Sequence, residues 1–354
     1  MQLITHRLIL KYFKCPKWVD SFFTMFKMGF LKLMNALPSI SNEIDEDKIF
    51  IIINKNFSKI APFWYQLVSS WLIRSYSVFK DIDKFIILIY FINKDLIFFR
   101  KNGLIIDYDT FYKDKSIEIP KINISDISND LKIPKESVRR KLQELEKAGV
   151  IKKTGKKIFV DRSAFVTAKA EKTLKELSIL ISKFSEILVN EKITTKVFDI
   201  NEISKSIKNN FSFCWYQFYK FLFIFTTRWR INITDLETLA IGFVVLLNTI
   251  GNKSFKVKDL NRKNWNKISQ GADDVGVNAM SLSDITGIPR PTVVRKLKFL
   301  IKSNYLHINE KKLITMNLTG LTLKKTNKLQ DLNMKNLSNF LYRIFNQIKV
   351  INTN

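Results

Sequence analysis

Thr286-Gly287-Ile288-Pro289-Arg290-Pro291-Thr292-Val293-Val294-Arg295-Lys296-Leu297 is the stretch on which the reading of this chain turns. Proline disfavours the helical conformation in the residue before it and is tolerated where a helix begins, so Ile288-Pro289 closes one helix and opens another. Gly287 suits a turn that needs positive φ. Ahead of the turn, Leu282 and Ile285 lie on one helical face. Behind it, Val293, Leu297 and Leu300 recur at four and three, a single apolar stripe. The pattern occurs once more, earlier in the chain. Ile133-Pro134 separates Ile127 and Leu131 from Val138, Leu142 and Leu145, and Lys135-Glu136-Ser137-Val138-Arg139-Arg140-Lys141-Leu142 aligns without a gap on residues 290–297.

Working outward, Trp64-Tyr65-Gln66 recurs as Trp215-Tyr216-Gln217, each copy opening a long aromatic-rich helix pattern. Two anchors in the same order at nearly equal spacing point to an internal duplication. Each copy reads as two helices, a linking stretch, a compact helix-turn-helix, a short hairpin and a closing helix. The expected fold is therefore mainly α with small β-hairpin wings. The expected parts are an N-terminal extension (1–55), a first half (56–190), a linker holding a short helix (191–209) and a second half (210–354). The acidic cluster from Glu43 to Asp47 reads as a solvated joint, and residues 251–276, which lack a sustained period, read as a surface insertion. The closing helices are expected over 164–188 and 321–348.

Gly149 is expected to cap the helix that ends before it. Beyond it, Ile151-Lys152-Lys153-Thr154-Gly155-Lys156-Lys157-Ile158-Phe159-Val160 reads as two strands around Thr154-Gly155, a hairpin with a basic tip. Its counterpart is Leu306-His307-Ile308-Asn309-Glu310-Lys311-Lys312-Leu313-Ile314-Thr315. Helix, turn, helix and basic hairpin together make a winged helix-turn-helix, whose second helix enters the major groove while the hairpin lies against phosphates. The residues expected to meet DNA are Lys135, Ser137, Arg139 and Arg140 with Lys153, Lys156 and Lys157 in the first copy. In the second they are Arg290, Thr292, Arg295 and Lys296 with Lys311 and Lys312. Arginine can bond guanine in a bidentate pair, while Ser, Thr and Lys bind phosphate or bases of either class.

Segments 124–160 and 280–316 resemble the winged helix-turn-helix domains of bacterial transcription regulators, and the helices around each resemble the MarR arrangement. MarR-like proteins are usually homodimers with one reading head per chain, whereas this chain carries two. The resemblance implies a sequence-specific regulator on double-stranded DNA. It also allows a small apolar effector in a cavity among the helices. Two heads about a pseudo-two-fold axis would bind as a monomeric pseudo-dimer, with a four-headed homodimer as the alternative. Glu136 stands opposite Pro291 and Arg139 opposite Val294, so the half-sites are expected to differ. A plasmid-type replication initiator is the runner-up, because some of these also resemble tandem winged helices on a basic chain. A winged-helix interaction module within a larger assembly is the third reading, and the basic wing counts against it.

Composition agrees with an anionic partner: 354 residues carry a formal net charge of +27. Lys, Ile, Asn and Phe are abundant together, as AT-rich codons produce, so where the basic residues fall matters more than their number. Cys15 and Cys214 stand far apart without His or Cys neighbours at ligand spacing, which argues against a zinc site and a disulfide framework and suits a reducing cytoplasm. The apolar run 239–250 is too short for a membrane span and reads as a buried helix. Lys27 and Lys32 interrupt the apolar run near the amino terminus, which argues against secretion and leaves room for an amphipathic helix. His6 and His307 lie far from any nucleophile, no glycine-rich phosphate loop occurs, and Asp81 with Asp83, Asp126 with Asp130, and Asp273 with Asp274 read as helix starts or turns. No enzyme, cofactor or metal is expected. Trp64 with Trp71, and Trp215, Tyr219 and Trp229 with Leu222 on one face, read as core rather than as base-stacking platforms.

Overall fold

The computed structural model describes residues 44–113, 116–120, 122–155, 157–161, 170–251, 259–269, 276–317 and 320–352. Residues 44–348 form one compact unit around one continuous apolar core. Its architecture is mainly helical with small antiparallel sheets. Cys15, His6, Lys156, Asp273, Asp274 and the apolar run near the amino terminus lie outside the described residues.

The chain opens with α1 (Glu46–Lys55), α2 (Phe57–Phe79) and α3 (Ile82–Lys101). Asp45 caps α1 by accepting the Lys48 amide at 2.7 Å, and Ile49, Ile52 and Ile53 bury one face of it. The acidic cluster expected as a solvated joint is thus a helix start, and Ile44, Ile49, Ile52 and Ile53 belong to the core. A short helix, α4 (Tyr108–Lys113), leads to β1 (Ser116–Pro120). There follow α5 (Ile124–Leu131), α6 (Lys135–Lys147), β2 (Ile151–Thr154), β3 (Lys157–Asp161) and α7 (Ala170–Asn190). The three strands pair in the order β1-β3-β2, with Val160 between Ile117 and Ile151.

Next come α8 (Ile200–Asn209), α9 (Phe211–Arg230), α10 (Leu236–Ile250) and α11 (Arg262–Ser269). The chain then runs through α12 (Ala279–Thr286), α13 (Arg290–Lys302), β4 (Leu306–Ile308), β5 (Ile314–Met316) and α14 (Gly320–Asn352). Strands β4 and β5 form a hairpin, and Val277 bridges to Ile314 on its far side. The presumed linker is more than a connection, because α8 packs on α7 and buries Ile203 and Ile207. The presumed surface insertion contains α11, whose Trp265 is buried and meets the Phe57 ring edge-on at 5.7 Å.

Four long helices make the centre. α2 packs on α10 as well as on α3, and α9 packs on α3. Two serines fix the crossings. Ser58 at the start of α2 donates its amide to Leu260 O (3.1 Å) and accepts the Leu260 amide on Oγ (2.9 Å). Ser212 at the start of α9 makes the same pair of bonds with Ile106, at 2.9 and 2.9 Å. The aromatic stripes fill the space between: Trp64, Trp71, Trp215, Tyr219 and Trp229 are all buried. Helix α10 is the buried helix expected over 239–250, and no helix among the described residues is long and apolar enough to cross a membrane.

Both turns between the short helices need a left-handed residue. Gly287 has φ of 68° with open space where a Cβ would stand, and the equivalent place before Ile133 is held by Lys132 with φ of 55°. A side chain in this region costs about 1 to 2 kcal/mol. Gly287→Ala should therefore lower stability by about 1 kcal/mol, and Lys132→Gly should raise it by up to about 1 kcal/mol after the added chain entropy is counted. Urea unfolding of both variants measures this; equal shifts of the same sign would contradict it.

Candidate nucleic-acid interface

Helices α6 and α13 are held to the core through the same chemistry. Each places one lysine on its buried face, Lys141 and Lys296, both 8% exposed. Lys141 Nζ bonds Asp81 and lies 3.9 Å from Asp83, while Lys296 Nζ donates to Asp235 Oδ1 (2.6 Å) and Thr238 Oγ1 (3.3 Å). The two aspartates start α3 and α10: Asp81 accepts the Lys84 amide at 3.1 Å and Asp235 the Thr238 amide at 2.7 Å. A carboxylate at a helix start gains from the free amides there, and a lysine stem buries well while its charge is met.

Burial opposes ionisation of Asp235, but the Lys296 ammonium and the Thr238 donors outweigh it and hold the carboxyl below its usual range. Close by, Glu237 accepts the Ile82 amide at 2.9 Å, and Arg230 Nη2 reaches Asp83 Oδ1 at 2.5 Å. Burial, with Asp83 and Asp235 nearby, raises the Glu237 carboxyl. The starts of α3 and α10 are thereby tied to each other as well as to α6 and α13.

This corrects the expectation for Lys296 as a DNA contact. Position 296 lies three residues after Val293 and beside Leu297 on the inward stripe, so its side chain points into the core. The other expected residues face outward or sit half-buried at a helix start. Lys135, Arg139 and Arg140 are exposed on α6, with Ser137 half-buried in its first turn. Arg139 pairs with Glu136 at 2.7 Å and Arg140 with Glu144 at 3.8 Å. On the adjoining hairpin, Lys153 pairs with Glu146 (2.8 Å) and Lys157 with Glu118 (2.6 Å). On α13, Arg290 and Arg295 are exposed, Thr292 is half-buried, and neither arginine is in an ion pair among the described residues. Lys311 and Lys312 are exposed in the β4–β5 turn. Among the described residues the expected positions on α6, α13 and their hairpins are exposed or half-buried, with Lys296 the exception; Lys156 lies outside the described residues.

Behind α13 lies a cavity of about 110 Å³, lined by Tyr65, Trp229, Phe243, Leu246, Trp265 and Tyr305 among others. The buried Trp229 Nε1 there has no hydrogen-bond partner among the described residues. Tyr65 Oη accepts from Gln330 Nε2 at 2.5 Å, and burial raises its pKa. A second cavity of about 30 Å³ lies between Trp71, Arg74, Phe85, Tyr112, Thr173 and Tyr219. It is narrowed by Arg74, whose guanidinium bonds Glu176 at 2.6 and 2.8 Å. Among the described residues no cluster of His, Cys, Asp or Glu has the makings of a metal site.

Residue-by-residue reading missed the two mounting lysines as a pair, although a signal existed: Asp81 precedes Lys141 by 60 residues and Asp235 precedes Lys296 by 61. Lys296→Ala should lower stability by roughly 1 to 3 kcal/mol, because it leaves Asp235 without its cation. The folded Asp235 carboxyl titrates below its unfolded value, so its stabilisation is present at neutral pH and lost as pH falls through that lowered pKa. The difference between wild type and variant should therefore narrow in acid, as urea titrations at several pH values can check. The chain matches no protein-family model, no curated protein and no solved structure.

Proposed function

We propose that this chain binds double-stranded DNA sequence-specifically through two winged helix-turn-helix units, arranged in one polypeptide as a pseudo-dimer, and acts as a transcription regulator. The observation that carries the reading is the common mounting of α6 and α13, each hung by a buried lysine on the aspartate that starts a central helix. A helix held so, with its opposite face exposed and basic and a hairpin beside it, is how a recognition helix is presented to a major groove. The reciprocal bonds of Ser58 with Leu260 and Ser212 with Ile106 support an internal pseudo-two-fold arrangement, in which each half's first helix is pinned by the other half. Asn56-Phe57-Ser58 and Asn210-Phe211-Ser212, the same tripeptide at both crossings, support duplication of the halves.

Selection of bound sequences from random duplex DNA tests this. One enriched site with two unlike halves, centred about 10 base pairs or a multiple apart, is the expected result. Repeated sites bound cooperatively with strand opening would point instead to a replication initiator. No salt-sensitive binding to any duplex would overturn the DNA reading and leave the interaction module.

Under the same proposal the larger cavity takes the effector, a small aromatic molecule with one acceptor for the Trp229 indole N–H. Its volume approaches the ~150 Å³ of an apolar cavity that accepts benzene. Benzyl alcohol is a suitable probe: it should raise the Tm of the wild type and leave that of Leu246→Trp unchanged. Equal shifts in both would remove the cavity from the account.

A further inference from the structure

The exposed faces of the two recognition helices differ in charge more than their shared mounting suggests. α6 carries Lys135, Arg139, Arg140 and Lys147 on its accessible surface, together with Glu136, Glu144 and Glu146. α13 carries Arg290, Arg295, Lys298 and Lys302 and has no acidic residue. The ion pairs on α6 are exposed and worth at most about 1 kcal/mol each, so they do not lock Arg139 or Arg140 away from DNA. What matters is the carboxylates' own charge. Glu136 is 76% exposed in the first turn of α6, the turn that meets base edges, where a carboxylate repels phosphates and can accept only from the amino group of a cytosine or an adenine. The matching residue on α13 is Pro291, which is uncharged. Val294, 36% exposed where α6 has Arg139, offers an apolar surface to a thymine methyl.

We infer, resting on the DNA-binding reading above, that the two heads are unequal. α13 supplies most of the specific affinity through Arg290 and Arg295, with Val294 reading thymine, while Glu136 makes α6 the weaker and more selective head. The described residues of the hairpins do not separate the heads: Lys153 and Lys157 beside α6 each face a carboxylate, leaving Lys152, while Lys311 and Lys312 beside α13 stand next to Glu310.

The test uses the full chain and the duplex it selects. Lysine replacements keep the charge and remove the bidentate fork, so folding and phosphate attraction are retained. Arg290→Lys with Arg295→Lys should weaken specific binding about 30-fold or more, roughly 2 kcal/mol, and flatten base preference over one half-site. Arg139→Lys with Arg140→Lys should cost less than about 5-fold. Glu136→Gln should tighten binding by about 3- to 10-fold and change the base preference at the position it faces in the other half-site. Equal losses from the two arginine pairs, or weaker binding by Glu136→Gln, would overturn the inequality while leaving DNA binding intact. Failure of the wild-type chain to bind any duplex would instead remove the reading on which it rests.

Discussion

An ammonium group held against the carboxylate that starts a central helix is the interaction on which the rest of this structure depends. Lys141 and Lys296 are buried against Asp81 and Asp235, which keep 24% and 33% exposure, and such a partly buried ion pair is a weak source of net stability, because desolvation consumes much of the attraction. Its value lies in what it forbids. Rotating α6 or α13 about its axis would leave a charge buried without its partner, which costs several kcal/mol. Each helix is therefore restricted to one rotational setting, and the residues opposite the lysine are the ones that face outward.

The same few residues also join the two mounts. Arg230 at the end of α9 bonds Asp83 in the first turn of α3, while Glu237 in the first turn of α10 accepts the amide of Ile82. The anchoring aspartates thus belong to one partly buried polar cluster at the starts of α3 and α10. A cluster of this kind tolerates little sliding, since any shift breaks several charged bonds together. In the proposed pseudo-dimer this fixes the separation of the two recognition helices, the quantity that half-site spacing must match.

Much of the architecture was legible in the sequence because it is written in local patterns. The turns at Ile133-Pro134 and Ile288-Pro289, the hairpin at Thr154-Gly155, the helix of 239–250 and the buried tryptophans all follow from proline, glycine and apolar periodicity. What escaped was short or non-local. Helix α1 begins in an acidic cluster, so its three buried isoleucines were outweighed by their charged neighbours; a short helix was expected where α8 stands, but not that Ile203 and Ile207 would bury it against α7. Trp265 stands alone between polar residues, and it is contacts with residues distant in sequence, Phe57 among them, that make α11 part of the core. Lys296 was misplaced for a related reason. A lysine read by itself belongs in solvent, and its inward position is intelligible only once Asp235 is known to stand behind it.

Helices α6 and α13 differ where difference is free and agree where it is not. In a symmetric homodimer any substitution on a recognition helix appears in both heads, so a carboxylate like Glu136 would oppose phosphate twice. In one polypeptide with two heads it appears once. The inward positions of α6 and α13 are alike, Val138 with Val293, Lys141 with Lys296, Leu142 with Leu297 and Leu145 with Leu300, because both must fit a helix start and the core around it. Outward, Glu136 stands opposite Pro291 and Arg139 opposite Val294, positions at which the core imposes no requirement. Shared mounting with divergent faces is what the proposed single-chain reader of an asymmetric site would require: the cluster at the helix starts would set the spacing, and each face would be left to specify its own half.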